Sequence, residues 1–557
     1  MRIVVIGHGM VGSRFAADLA REDPSAEITV LGHEDHDPYN RVQLSSVVAG
    51  KADATSLALE QADSPQVRVL RGVRAVAIDR ERREVVDARG DRHPYDRLVL
   101  ATGSAARIPD IPGVRIDPDP AHDGLISGVS PLKDLDDARR IIDAAGPGRR
   151  AVVLGAGVLG LEVATGLAAR GMRVTLVHHR ERLMERQLDP DASDITRGAL
   201  ERLGIVVATG VDATGITARD SRLTGVRLSD GSMHPAELMV LCTGTVPAVA
   251  LAAAAGLDCE HGIVVGEDQA TPKDPAIFAI GDCAQPPEGA SGLVAQGWDQ
   301  ARRLVQAWSP ALATGAAPVP AGPRGGDLVR VKAVGLALVT MGRIDRAGPS
   351  GHAPRSVRLS DPAGGRFTEV VVQDGRLVAA TVIGDDEAAA SLSAAFTRAT
   401  PVPRDPVHLL ARPLAVQGAA GTARPVTEMD DEEIVCQCNG VSKGAICQAV
   451  HAGSTNAGAV SKATRAGTGC GTCRLQIEEL CTATKAAAAA GAAPDGPSRE
   501  AAPVQPPPAM AAARAATAPE PADAPEPADA PSTRGGGGSS VPVSTSSATA
   551  VPEPELV

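Results

Sequence analysis

The chain has 557 residues, a formal net charge of −12 at pH 7 and only 1% aromatic residues. That length allows several domains, and the acidic balance, without a basic stripe or an aromatic platform, excludes a nucleic-acid-binding role. No apolar run reaches the roughly 18 residues of a membrane span and nothing at the N-terminus reads as a signal peptide, so a soluble, cytoplasmic chain with no membrane partner is expected.

Arg2 leads directly into Ile3-Val4-Val5-Ile6 and a G-x-G-x-x-G loop of Gly7, Gly9 and Gly12. Residues 1–35 therefore read strand, glycine turn, helix, strand. In such a loop the first glycine permits the tight turn, the second lets backbone approach a pyrophosphate and the third lets helix pack on strand. The helix N-terminus then faces the phosphates. An acid closing the second strand usually meets the adenosine ribose, and here Glu34 is the candidate, with Asp35 beside it.

Further along, Arg97-Leu98-Val99-Leu100 reads as a strand followed by Ala101-Thr102-Gly103-Ser104, and Lys133 to Asp143 reads as a helix. Residues 151–178 then repeat the opening order around a second loop, Gly155, Gly157 and Gly160. Two such βαβ starts imply two nucleotide-binding folds with parallel sheets. The ribose position of the second is His178, followed by His179, Arg180 and Arg182. A carboxylate there would favour NADH; this basic group could accept a 2′-phosphate, or it could be a solvated loop that serves NADH.

Residues 328–380 are rich in strands, a Pro- and Gly-containing stretch near 401–428 follows, and the chain beyond about Ala486 is Ala, Pro, Gly and Ser, which cannot bury a core. Between them Cys436 and Cys438 form a C-x-C pair, and Cys470 and Cys473 a C-x-x-C pair. Four thiolates in two close pairs suit an iron–sulfur cluster or a structural zinc. In a reducing compartment the nine cysteines favour metal or redox chemistry over structural disulfides. Cys242, Cys259, Cys283, Cys447 and Cys481 stand outside the pairs and read as packed residues.

The first glycine loop, Ala101-Thr102-Gly103 and the Ile277–Ala284 segment around Gly281-Asp282 together resemble the FAD-binding pyridine-nucleotide–disulfide oxidoreductase superfamily. The resemblance implies that Gly281 and Asp282 hold the ribityl and phosphate end of FAD. It also implies that Gly155, Gly157 and Gly160 bind NAD(P), with Glu162 near the nicotinamide–flavin contact. The redox C-x-x-x-x-C of the disulfide subclass is missing, so the flavin is expected to pass electrons directly outward. Pro38-Tyr39-Asn40-Arg41-Val42-Gln43-Leu44-Ser45-Ser46 departs from the P-Y-D-R-P-P-L-S-K of ferredoxin and rubredoxin reductases: Ser46 takes the lysine position, and Val42-Gln43 replaces two prolines. Arg41 is counted with the flavin-site residues. This segment looks like the N-terminal half of the assimilatory nitrite reductase large subunit, as do Met184–Asp189 and Gly292–Ala301. The cysteine segment resembles the bacterioferritin-associated ferredoxin-like module, which implies a [2Fe–2S] cluster on Cys436, Cys438, Cys470 and Cys473. Full nitrite reductase large subunits continue into a sirohaem domain, whereas this chain runs into the Ala/Pro tail, so it is expected to keep the electron-input half alone.

The expected fold class is α/β: two Rossmann-like nucleotide-binding domains (FAD and NAD(P)), a small α/β domain, a small helical [2Fe–2S] domain and a disordered C-terminal tail. The expected boundaries are 1–112 with 240–312 for a discontinuous FAD domain, 113–239 for NAD(P), 313–415 for the small domain, 430–483 for the cluster and 484–557 for the tail. The expected function is transfer of electrons from NAD(P)H through FAD and the cluster to a separate catalytic subunit of assimilatory nitrate or nitrite reductase. Cofactors carry such chemistry, so no catalytic side chain is named. The alternatives are a reductase serving a ferredoxin, a rubredoxin or another acceptor, and a non-enzymatic redox sensor.

Overall fold

The structure is a computed structural model that describes residues 1–59, 64–115, 124–308, 328–342, 353–397, 400–403, 405–410, 425–436, 439–469 and 473–489. Cys438, Cys470 and the predicted tail from residue 490 onward lie outside the described residues. The described residues form one body within Met1–Ala492.

The apolar run after Arg2 becomes β1 (Arg2–Ile6), followed by α1 (Met10–Glu22), β2 (Glu27–Leu31) and β3 (Val67–Leu70). β1 is central, paired in parallel with β2 on one side and with Arg97–Leu100 on the other. A strand from much later in the chain, Asp274–Ala279, adds in parallel beside Arg97–Leu100 and joins the same six-stranded sheet. Both faces are covered. Val4, Ile6 and Leu31 enter one apolar cluster, and Ile3, Val5, Ile28 and Val30 enter another with Phe15 and Leu19 of α1. A strand buried on both sides needs an unbroken apolar run, which explains why Ile3–Ile6 shows no polar alternation.

The second glycine loop repeats this plan. Arg150–Leu154 lies between Arg173–His178 and Leu238–Leu241 in a five-stranded sheet whose named pairings are all parallel. In each half a three-stranded antiparallel meander interrupts the parallel order: Ala75–Pro94 in the first and Ala213–Pro235 in the second. The helix predicted over Lys133–Asp143 runs Leu135–Ala144. Asp134 begins it with a capping box shared with Asp137.

Residues 328–383 make a five-stranded antiparallel sheet, ordered Leu328–Val331, Leu338–Gly342, Arg376–Ile383, Arg366–Gln373, Arg355–Asp361. Helix Asp386–Thr397 packs on it through Ala389 and Leu392. The cysteine segment is a short hairpin, Ile434–Cys436 with Val441–Ser442, followed by helices Lys443–His451, Ala457–Thr464 and Arg474–Ala489. The last helix runs past residue 484, where the tail was expected to begin. Thr484 donates to Cys447 Sγ at 3.7 Å, and Lys485 reaches the Thr455 carbonyl, so the helix end is held by its neighbours. No helix among the described residues is long and apolar enough to cross a membrane.

Candidate functional site

Among the described helices, Leu135–Ala144, Pro190–Arg202, Lys443–His451 and Ala457–Thr464 start with side-chain caps, from Asp134, Asp189, Ser442 and Asn456. The two that follow the glycine loops do not: Gly9 and Gly157 begin α1 and Val158–Ala169 without a side-chain hydrogen bond. Their first-turn N–H groups are thereby left available to an anion. The loops are also tight. A Cβ on Gly7, at φ +117°, would stand 2.1 Å from the Ala101 carbonyl oxygen, and one on Gly12 would stand 2.1 Å from that of Gly7. The same holds at Gly155 (2.3 Å from Cys242 O) and Gly160 (1.8 Å from Gly155 O). Gly9 and Gly157 face open space, with at most Arg41 Nε at 3.9 Å from a Cβ on Gly9. A cradle with two crowded positions and one open position fits a pyrophosphate lying against backbone.

Around the first loop, the structure brings Glu34 and Arg41 together as an ion pair, and Glu34 also accepts the Tyr39 hydroxyl at 2.8 Å. Burial raises the Glu34 carboxyl, but the charge and hydrogen bond of Arg41 and the hydrogen bond of Tyr39 outweigh it and hold the group below its ordinary value. Arg41 lies 4.7 Å over the Tyr39 ring. Ala101 N–H donates to Ile6 O at 2.8 Å, Thr102 Oγ1 donates to Ala248 O at 2.8 Å, and Gly103 sits at φ +69°. Gly281 N–H donates to Gln300 Oε1 at 2.7 Å, and Asp282 accepts Ser104 Oγ at 2.8 Å.

Lys133 was missed by sequence reasoning. Its ammonium donates to Ser104 Oγ at 2.7 Å and lies 3.7 Å from Asp282. Burial lowers its pKa against the pull of Asp282. Cys283 is buried, with Sγ 3.4 Å from the carbonyls of Leu100 and Ile280, and burial pushes its thiol up; burial and then Glu162 do the same to Cys242. Both behave as protonated, packed cysteines.

On the second loop, Glu162 is only 2% exposed. It accepts Ser45 Oγ at 2.5 Å, Lys332 Nζ at 2.7 Å and Lys332 N–H at 2.9 Å. Lys332 directly follows the strand Leu328–Val331 of the antiparallel sheet, so this carboxylate ties three stretches of chain, and no local pattern announced the lysine. Lys332→Met is expected to destabilise the fold by about 3 kcal/mol, because it strands a buried charge. Urea unfolding of the flavin-loaded protein checks this. The double variant Lys332→Met/Glu162→Gln should recover most of the loss, and a neutral single variant would contradict the charge argument.

His178, predicted beside the ribose, is buried. Its Nδ1 accepts Ala156 N–H at 3.3 Å and its Nε2 lies 3.0 Å from Glu185. Partial burial raises the Glu185 carboxyl, yet the His178 hydrogen bond holds it below its ordinary value. His179 and Arg180 are exposed, and the His179 ring meets His178 edge-on at 4.9 Å. The basic residues therefore do not converge, and a carboxylate not foreseen from sequence stands at the strand end.

Of the four proposed cluster ligands, Cys436 and Cys473 are described and both are buried in the core of the C-terminal segment. Cys436 Sγ accepts Gly467 N–H at 3.4 Å and Asn439 Nδ2 at 3.6 Å. Buried thiols receiving N–H groups are the donor set that a thiolate-bound cluster takes.

Comparison with known proteins bears on the same residues. Residues 1–315 match the family described as pyridine nucleotide-disulphide oxidoreductase, and residues 434–482 match the BFD-like [2Fe-2S] binding domain. The chain is 30% identical over 486 residues to nitrite reductase [NAD(P)H] of Bacillus subtilis (strain 168), covering 86% of this chain and 57% of that protein. It is 29% identical over 487 residues to the assimilatory nitrate reductase electron transfer subunit of the same organism, covering 86% and 59%. It thus spans less than two thirds of the length of these relatives. Among solved structures it is similar to the ferredoxin reductase for the CYP199A2 system from Rhodopseudomonas palustris. The TM-score is 0.58 and the identity 30%, over 69% of this chain and 91% of that one.

Proposed function

The chain belongs to the pyridine nucleotide-disulphide oxidoreductase family, and from that membership we propose that it is the electron-input component of an assimilatory nitrate or nitrite reductase system, handing electrons to a separate catalytic subunit. It is an NAD(P)H-dependent flavoprotein oxidoreductase that takes FAD and a [2Fe–2S] cluster. When bound, FAD supplies two-electron acceptance of hydride from NAD(P)H, and the cluster supplies a one-electron carrier for each of the two electrons leaving.

The protein's own share is holding and orienting. In this reading Gly7, Gly9 and Gly12 cradle the FAD pyrophosphate, with Glu34, Arg41, Ala101, Thr102, Gly103, Gly281 and Asp282 around it. Gly155, Gly157 and Gly160 cradle NAD(P)H, and Cys436, Cys438, Cys470 and Cys473 hold the cluster. The observation that carries the proposal is the cluster-binding segment of residues 434–482 on the same chain as both nucleotide loops, with the likeness to the two nitrogen-assimilation proteins covering 86% of the chain.

Anaerobic titration with NADH and with NADPH, followed by visible absorption and low-temperature EPR, tests the internal path. Flavin bleaching with a reduced [2Fe–2S] signal is expected. Acceptor assays then separate the partners: a nitrate or nitrite reductase catalytic subunit should be reduced faster than a ferredoxin or rubredoxin, and the reverse order would favour the alternative reductase. Negligible NAD(P)H oxidation with every acceptor would favour a sensor.

The pairing of Glu185 with His178 supports NADH as the preferred donor, since a carboxylate repels a 2′-phosphate. Glu185→Arg is expected to raise kcat/KM for NADPH about tenfold, near 1.4 kcal/mol, and to lower that for NADH. Steady-state ferricyanide reduction with each donor measures it, and an unchanged NADH/NADPH ratio would remove Glu185 from the specificity site.

A further inference from the structure

The cysteine segment does not merely follow the nucleotide-binding half in sequence; it is held against it by buried polar contacts. Asn40 is 5% exposed. Its Oδ1 accepts Val42 N–H at 3.1 Å, which caps the turn Arg41–Gln43. Its Nδ2 donates across to the carbonyls of Thr468 and Gly469, the latter at 3.1 Å, immediately before Cys470. A second set of contacts starts on α1. Arg14 donates to Asn439 Oδ1 at 2.6 Å and pairs with Asp18 at 3.3 Å, while Asp18 accepts Arg465 at 2.8 Å. The Arg14 guanidinium also lies 5.0 Å over the Trp298 ring. Asn439 donates onward to Arg465 O at 2.8 Å and to Cys436 Sγ at 3.6 Å. One run of contacts thus connects the helix that starts at the first glycine loop with the sulfur of a cluster cysteine.

We infer that Asn40 and the Arg14–Asp18–Arg465–Asn439 network are positioning residues that lock the cluster-binding segment onto the FAD-binding half, so that electron transfer between the two cofactors occurs between fixed sites within one chain. The inference rests on the reading above that both cofactors lie on one electron path. A segment docked in any other register would leave the Asn40 amide, whose donor contacts among the described residues go to the Thr468 and Gly469 carbonyls, without partners in a buried place. That state is penalised as any buried unsatisfied donor is. Arg465 and Asp18 are 18% and 19% exposed in their side chains, so their attraction is screened less than that of a surface pair.

The test uses the full chain loaded with FAD and iron. Asn40→Asp keeps the acceptor that caps Val42 and turns a carboxylate oxygen toward two carbonyls. Arg465→Glu sets two carboxylates against each other and leaves Asn40 intact. FAD content, iron content and the flavin bleaching rate with NADH should match the unaltered protein in at least one of the two. Hydrogen exchange across residues 457–469 and α1 should quicken, and freeze-quench EPR should show cluster reduction slowed by about tenfold or more relative to flavin bleaching. Cluster reduction that keeps pace with flavin bleaching in both variants overturns the positioning role, whatever exchange shows. If the unaltered, iron-loaded protein bleaches its flavin without any reduced cluster signal, the electron path itself is wrong, and the exchange data then still decide whether the segment is locked.

Discussion

Gly9→Ala is expected to give a chain that folds normally and no longer retains FAD, whereas Gly12→Ala is expected to damage fold and flavin together. By helix propensity alone Gly12→Ala looks harmless, since alanine favours a helix over glycine by up to about 1 kcal/mol, and Gly9 at φ −83° already holds a backbone conformation that alanine adopts. Space decides instead. A Cβ on Gly12 would stand 2.1 Å from the Gly7 carbonyl oxygen and 3.2 Å from Ala101 Cβ, and backbone pinned at the ends of parallel strands, by Gly7 N–H on Leu31 O and Ala101 N–H on Ile6 O, cannot move aside cheaply. A Cβ on Gly9 meets nothing of the protein closer than 3.9 Å, so only a ligand lying against that backbone can feel it. Loss of flavin affinity of at least about tenfold, or 1.4 kcal/mol, is expected for Gly9→Ala. The ratio of absorbance at 450 nm to protein after gel filtration, beside a thermal unfolding curve, reads both quantities. Gly157→Ala is the matched control, open on all sides within 4 Å: it should raise KM for NAD(P)H and leave flavin content alone. Full flavin retention in Gly9→Ala, or flavin loss in Gly157→Ala, would exchange or dismiss the two loop assignments.

The two nucleotide loops were legible because their physics is local. An apolar run buried on both faces, a turn that only glycine can make and a helix starting without a side-chain cap all fall within a dozen residues, and Ile3–Gly12 and Ala151–Gly160 both spell them out. The pairing of Asp274–Ala279 with Arg97–Leu100 is different in kind. Both read as strands, but periodicity is silent on which strand lies beside which. The likeness of Gly281-Asp282 to a flavin motif was the only hint that these segments meet.

The side chains around the loops were much less legible. Lys133 reaches Ser104 and Asp282, Lys332 reaches Glu162, and Asn40 reaches Thr468 and Gly469, each across a gap in sequence that no spacing rule spans. Ser46 stands where ferredoxin and rubredoxin reductases carry a lysine, and the fold brings two other ammonium groups, those of Lys133 and Lys332, to Asp282 and Glu162. His178 was read with its basic neighbours because they adjoin it in sequence. The ring turns instead to Glu185, seven positions on, beyond Met184 at φ +46°, a left-handed conformation that a methionine does not announce.

Cys436→Ala should separate the two halves of the proposed activity. The Cys436 side chain is fully buried and accepts two N–H groups, from Gly467 and Asn439. Removing the sulfur deletes one of four proposed ligands and leaves both donors facing a gap, so the cost should exceed the roughly 10–100-fold that follows from losing an outer partner of a metal ligand. Iron content should fall close to zero and the reduced [2Fe–2S] EPR signal should vanish. NAD(P)H oxidation with ferricyanide, a small acceptor able to take electrons from flavin, should persist, while reduction of a one-electron protein acceptor should collapse. Asn40 and α1 carry the docking contacts but hold no cluster ligand, so FAD content and the flavin bleaching rate should be unchanged. Undiminished reduction of the protein acceptor by an iron-free Cys436→Ala chain would mean that electrons leave from the flavin directly. The cluster would then be a structural or sensing element, and the case for an electron-input component would fall with it.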